Sequence, residues 1–106
     1  MPRIYNERVK ANYSVFHGFQ WDGGNQDKNQ RKQNVSQTEC EEFFFNAPLL
    51  IANDEKHSDM EKRWVAFGAT NEGRLLTIIF TKRDKLIRVI SARDMHRKER
   101  ELYKKS

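Results

Sequence analysis

Arg74-Leu75-Leu76-Thr77-Ile78-Ile79-Phe80-Thr81, then Lys82-Arg83-Asp84-Lys85, then Leu86-Ile87-Arg88-Val89-Ile90-Ser91-Ala92-Arg93 reads as two apolar runs joined by a short charged turn. The first run is almost continuously apolar, as a strand covered on both faces must be. The charged residues between the runs are too few for a crossover helix, so the second run returns antiparallel to the first. Upstream, Arg63-Trp64-Val65-Ala66-Phe67 reaches the same region through a turn over 68–73. The spacing predicts an antiparallel meander with residues 74–81 as its central strand.

The same runs carry arginine at their ends and on their faces: Arg74, Arg83, Arg88 and Arg93. A guanidinium is always charged and offers a rigid fork of donors that matches phosphate oxygens. Lysines in loops would meet a need for solubility alone, so arginines along a buried sheet predict a phosphate-holding surface. The alternative for each is a salt bridge to a nearby carboxylate.

Working outward, Val15-Phe16-His17-Gly18-Phe19-Gln20-Trp21 predicts a short strand, with Phe19 and Trp21 on one face at period two. Residues 1–16 are read as an N-terminal extension and 17–106 as one domain. Asp22 stands as an N-cap before 23–34, a polar stretch whose Lys28, Arg31 and Lys32 fall at helical spacing on a surface helix. Ser36 and Glu39 form a capping box, Val35 can staple onto Cys40, and Cys40, Phe43 and Phe44 make one apolar helical face. Pro48 ends that helix through its effect on the preceding residue. Residues 49–52 are a short buried strand, 53–61 an acidic loop holding His57, and Asp94 an N-cap for a basic helix from Met95 to Tyr103. The predicted order is β-α-α-β-β-β-β-α. It describes an α+β domain, an antiparallel sheet of four to five strands with helices against one face.

The chain has 106 residues, 37% of them hydrophobic, and a mean hydropathy of −0.94. That suits one domain with a modest core. Its net charge of +5 favours polyanionic partners. Residues 36–61 carry seven acids against one base, and residues 82–106 carry ten bases against four acids. Such a division suits a small domain with two partners, one of them nucleic acid; solvated helix faces are the plainer alternative. Cys40 is the only cysteine, which excludes a disulfide framework within the chain and a cysteine metal site. The first residues lack a signal-peptide pattern and no segment approaches ~18 consecutive apolar residues. The expectation is a cytoplasmic protein without a membrane partner.

Further spacings then carry a resemblance. Phe19-x-Trp21-Asp22, Asn29-x-x-Lys32, Phe44-Phe45-Asn46-x-Pro48 and His57-Ser58-x-x-Glu61-x-Arg63 are similar to the BrnT family of bacterial ribonuclease toxins. So are Gly73-Arg74-Leu75-Leu76, Thr81-x-Arg83, Arg88-Val89-Ile90-Ser91-Ala92-Arg93 and Arg97-x-Glu99-Arg100-x-x-Tyr103. The resemblance implies a RelE-like fold, RNA cleavage without a metal, and neutralisation by a cognate BrnA-type antitoxin that alone would contact operator DNA. Two departures stand out: Lys32-Gln33-Asn34 where the family usually reads Lys-His-Gly, and Asn25 in place of a usual lysine. If the missing histidine is catalytic, the alternative is a weakened or inactive homologue serving as an interaction module. If it only shapes a helix end, asparagine is a tolerable substitute.

RNA brings its own nucleophile, the 2′-OH, so cleavage needs in-line geometry, a base, an acid and charge stabilisation at phosphorus. No paired carboxylates stand at metal spacing on a strand, and arginine can supply that stabilisation. No cofactor is expected. The catalytic candidates are His57, Glu61, Arg63, Arg83 and Arg93, and the RNA-binding candidates are Lys32, Arg74, Arg88 and Arg97. Tyr103 is a further proton-transfer candidate, with docking of the last helix as its plainer role. A plain RNA-recognition domain is disfavoured because its aromatic motif is absent.

Overall fold

A computed structural model of the chain describes residues 4–5, 18–21, 34–54 and 61–106. Their elements are β1 (Ile4–Tyr5), β2 (Gly18–Gln20), α1 (Gln37–Phe45), β3 (Leu50–Asn53), β4 (Arg63–Ala69), β5 (Leu75–Arg83), β6 (Leu86–Asp94) and α2 (Arg97–Lys104). The helix expected over 23–34, with Lys32, lies outside the described residues except for Asn34, as does His57 in the acidic loop.

The strands form one sheet in the order β1-β3-β4-β5-β6-β2. β3 to β6 are the expected antiparallel meander, with β5 inside it. The sheet as a whole is mixed, because β2 pairs parallel with β6, Phe19 opposite Ile87. A parallel neighbour requires a long connection, and here most of the domain lies between the two strands. β1 extends the opposite edge, antiparallel to β3.

α1 starts and stops where its local chemistry dictates. The Glu39 N–H donates to Ser36 Oγ at 3.1 Å, and the Ser36 N–H donates to Glu39 Oε1 at 3.0 Å. Val35 and Cys40 are both buried, as a staple requires. Asn46 caps the other end. Glu41 accepts from Trp21 Nε1 at 2.9 Å and Glu42 accepts from the Asn71 N–H at 3.1 Å. Those acids therefore tie α1 to its surroundings.

The helices do not share a face of the sheet, contrary to the expected single helical layer. Cys40, Phe43 and Phe44 of α1 pack with Leu49, Ile51, Ala66, Leu76, Ile78, Phe80, Ile87, Val89 and Ala92. Met95, Leu102 and Tyr103 pack with Leu50, Val65, Phe67 and Leu75. Side chains alternate across a strand, so these two sets lie on opposite faces.

α2 also begins later than expected, after His96 rather than Asp94. β6 runs on to Asp94, opposite Leu76, and the Asp94 carboxylate is taken by Arg74, Nε to Oδ1 at 2.8 Å. The His96 N–H instead donates to Glu99 Oε1 at 2.7 Å.

One irregularity positions the candidate site. Between Ile79 and Phe80 the register with β6 shifts, so Ile79 faces Ser91 while Phe80 faces Val89. Ile90 is the extra residue of a bulge. Arg88 and Arg93 are five apart and in a regular strand would point to opposite faces. The bulge brings both to the face that carries α2, and leaves Ile87, Val89 and Ala92 in the core beneath α1.

Candidate nucleic-acid interface and active site

Arg63 pairs in register with Thr81, Thr81 with Arg88, and Arg88 with Gln20. These four residues therefore form a row across β4, β5, β6 and β2. Neighbouring strands are about 4.8 Å apart, so the row spans roughly three such steps. Thr81 at its centre is buried, and its hydroxyl donates to the Lys62 carbonyl at 2.6 Å. Phe19 packs against the α1 core, which turns Gln20, the next residue along β2, to the arginine face. Its Oε1 is buried without a hydrogen-bond partner among the described residues.

Arg83 lies two residues beyond Thr81 on the same face of β5. Its Nη2 meets Glu61 Oε1 at 3.5 Å, with both side chains substantially exposed. Glu61, Arg63, Arg83 and Arg88 are thus gathered at one end of the sheet. Ile79 and Ser91, partly exposed, continue the surface from this row toward α2.

Arg93 is on the same face but opposite Thr77. Thr77 is four residues from Thr81, roughly 13 Å along the strand at about 3.3 Å per residue. Arg93 grips Glu99 through two bonds, Nη1 to Oε1 at 2.8 Å and Nη2 to Oε2 at 3.0 Å. Thr77 Oγ1 also donates to that carboxylate, at 2.9 Å. Burial opposes ionisation of Glu99, but the Arg93, His96 N–H and Thr77 hydrogen bonds outweigh it and hold the carboxyl down to about 2.

Arg74 sits at the far end of β5 in a clamp of its own. It contacts Asp94 through Nε and Nη2, Glu39 through Nη1, and the Asn34 carbonyl through Nη1 at 2.7 Å. Asn34 has φ of 54°, a left-handed conformation that asparagine tolerates. Burial works against the Glu39 carboxylate, yet Ser36 and Arg74 hold it below the usual range. The Arg74 hydrogen bond does the same for Asp94 against burial. Arg97 is exposed at the start of α2, 3.4 Å from Glu101.

The salt-bridge alternative thus describes Arg74 and Arg93, whose guanidiniums are occupied in holding α1, β6 and α2 together, and also Arg83, whose longer contact with Glu61 is more exposed. The row places Arg63 and Arg88 on either side of Thr81, with Arg83 and Glu61 adjacent. Thr81 and Gln20 were missed by sequence reasoning. Only the parallel β2–β6 register brings Gln20 here, and no local pattern announces it.

Three other side chains are turned away from this surface. Tyr103 Oη donates to the Pro48 carbonyl at 2.7 Å, and burial raises its phenol above its ordinary value. Burial pushes the Cys40 thiol up to about 12, so it stays protonated in the core. Trp64 stacks on Phe80 with ring centroids 5.7 Å apart and lies on the α1 face, away from the arginines.

No helix among the described residues is long and apolar enough to cross a membrane. A family model described as ribonuclease toxin, BrnT, of type II toxin-antitoxin system, matches residues 21–99. No curated protein matches the chain.

Proposed function

Because the chain belongs to the BrnT family of ribonuclease toxins of type II toxin–antitoxin systems, we propose that the Arg63–Thr81–Arg88 row is where it holds the RNA phosphate that it cleaves. The observation supporting this is the register across β4, β5 and β6, which sets two arginines on either side of Thr81. The 2′-oxygen attacks phosphorus and the 5′-oxygen leaves, giving a 2′,3′-cyclic phosphate and a 5′-hydroxyl. Negative charge grows on the phosphoryl oxygens during that step. Fixed cations aimed at developing charge lower the barrier, typically by about 2–4 kcal/mol for each donor.

Arg63 and Arg88 serve as those donors in this reading, with Arg83 at the edge of the row. Glu61 takes the 2′-hydroxyl proton, its carboxylate held by Arg83, and His57 protonates the leaving oxygen, the two roles lying four residues apart in sequence. The unperturbed pKa of an imidazole, ~6.5, suits that exchange near neutrality. Lys32 and Arg97 contact phosphates away from the cut. Arg74 and Arg93 act indirectly, by keeping β5, β6 and the two helices in place. A cognate BrnA-type antitoxin silences the toxin, and operator DNA is reached only through it.

The test is cleavage by the full chain made by cell-free synthesis, with EDTA present and the product ends identified. Cyclic-phosphate ends formed in EDTA support the reading. Cleavage lost on chelation and restored by Mg²⁺, or products bearing 5′-phosphate, would refute this chemistry. Absence of cleavage with antitoxin binding intact would favour the interaction-module alternative raised by Gln33-Asn34.

A further inference from the structure

Among the described residues, Gln20 brings to the cross-strand row a buried neutral acceptor that has no partner. Thr81 Oγ1 is committed to the Lys62 carbonyl, whereas Gln20 Oε1 is buried and has no partner among the described residues. A buried acceptor left unmatched is costly, and such groups are uncommon in folded proteins. The Gln20 backbone is in register with Arg88, about 4.8 Å away across the strand gap. That step is comparable to the distance from a backbone phosphate to the sugar or base of its own nucleotide.

A phosphate cannot satisfy this atom, because phosphate oxygens only accept. What fits is an N–H or O–H donor carried next to a phosphate. We propose that Gln20 Oε1 accepts a hydrogen bond from the nucleotide whose phosphate Arg88 holds, which makes Gln20 a specificity-determining residue of the toxin. The donor is either an exocyclic base amine or a ribose hydroxyl. The inference rests on the placement of RNA on the arginine row and adds to it a requirement for a donor at one nucleotide. A site built around a buried acceptor discriminates strongly, since a substrate lacking the donor leaves the acceptor unpaired.

Two variants test it, Gln20→Met and Gln20→Leu, which remove the acceptor at similar volume. Both are expected to melt no lower than the parent chain, because an unsatisfied group has been replaced by an apolar one. Both should nonetheless cleave a preferred RNA about 5-fold or more slowly, the scale of one lost hydrogen bond.

Oligonucleotides distinguish the donor. If it is a base amine, the parent chain will discriminate among bases beside the cut and the variants will lose that preference. If it is the ribose hydroxyl, a single 2′-deoxy substitution in the nucleotide on the 3′ side of the cut will weaken binding to the parent chain and not to the variants. Variants that cleave with unchanged rate and preference would overturn the inference alone. Variants that melt well below the parent would overturn it too, by revealing a structural partner for Oε1. A parent chain that cleaves no RNA would instead overturn the reading on which it rests.

Discussion

Arg93 and Glu99 are joined by two hydrogen bonds, 2.8 and 3.0 Å long, that fasten the sixth strand to the helix following it. Glu99 also receives the His96 N–H and the Thr77 hydroxyl, so one carboxylate serves both the start of α2 and its attachment to the sheet.

That arrangement gives stability a defined acid limb. The folded-state pKa of Glu99 lies at about 2, below its ordinary 4.5. A depressed carboxyl contributes stability that is fully present above its unfolded pKa and is lost as pH falls through the folded one. The expected window is therefore between about 4.5 and about 2, with a contribution on the order of 3 kcal/mol. Glu99→Gln should lower the melting temperature at pH 7 and flatten the melting profile across that window. An unchanged acid profile would show that Glu99 is not the group responsible.

The arginines should separate into two classes. Arg63→Ala and Arg88→Ala are expected to slow RNA cleavage by about 100-fold or more, the scale on which removal of one stabilising donor acts. Arg74→Ala breaks contacts with Asp94, Glu39 and the Asn34 carbonyl, and should cost about 2 kcal/mol of stability while folded protein still cleaves. Cleavage rates and thermal melts measured on the same preparations decide the matter. A dead but fully stable Arg74 variant would place it at the RNA instead.

Packing between α1 and the sheet is tight at Gly68. A Cβ built there would lie 2.9 Å from Phe43 Cε2 and 3.2 Å from Leu49 Cδ1. Both neighbours are fully buried, so neither can swing away. Gly68→Ala should therefore destabilise by about 1–3 kcal/mol, read by urea unfolding. Leu76→Ala, which opens a cavity in the same layer, should cost about 2–5 kcal/mol. A neutral Gly68→Ala would mean that α1 sits farther from β4.

What was legible in the sequence followed the range of the interaction. The Ser36–Glu39 capping box spans three residues and was visible directly, as was the apolar run of β5. The opposite placement of the helices had a readable signal in β4, where Trp64 and Ala66 are apolar on one face and Val65 and Phe67 on the other. A strand apolar on both sides needs a covering layer on each. The parallel β2–β6 pairing had no such signal, since it joins residues far apart in sequence, and Gln20 was missed with it. The arginines were visible as a set, but their division was not. Arg74 finds Glu39 across 35 positions, and Arg88 reaches the α2 face only through the bulge at Ile90.

A toxin of a type II toxin–antitoxin system has an antitoxin as its partner. Occupying the surface that RNA needs is the simplest way to silence it, and that surface is cationic. Tyr103 is only 8% exposed and Trp64 lies on the α1 face, so neither presents an anchor beside the row. Arg83 and the bases exposed on α2 are accessible, whereas Arg93 is held by Glu99. We expect an acidic segment of the antitoxin to lie over Arg63, Arg83 and Arg88 and along Arg97 to Lys105. Opposed charge should make association fast and salt-sensitive, with apolar contacts such as those available at Ile79 setting much of the residence time. Arg83→Glu combined with Arg88→Glu should therefore slow antitoxin association, weaken the complex and abolish cleavage in one protein. The check is association kinetics at two salt concentrations beside an RNA cleavage assay. A double variant that has lost cleavage but binds antitoxin at the parental rate would show that inhibition acts from another surface.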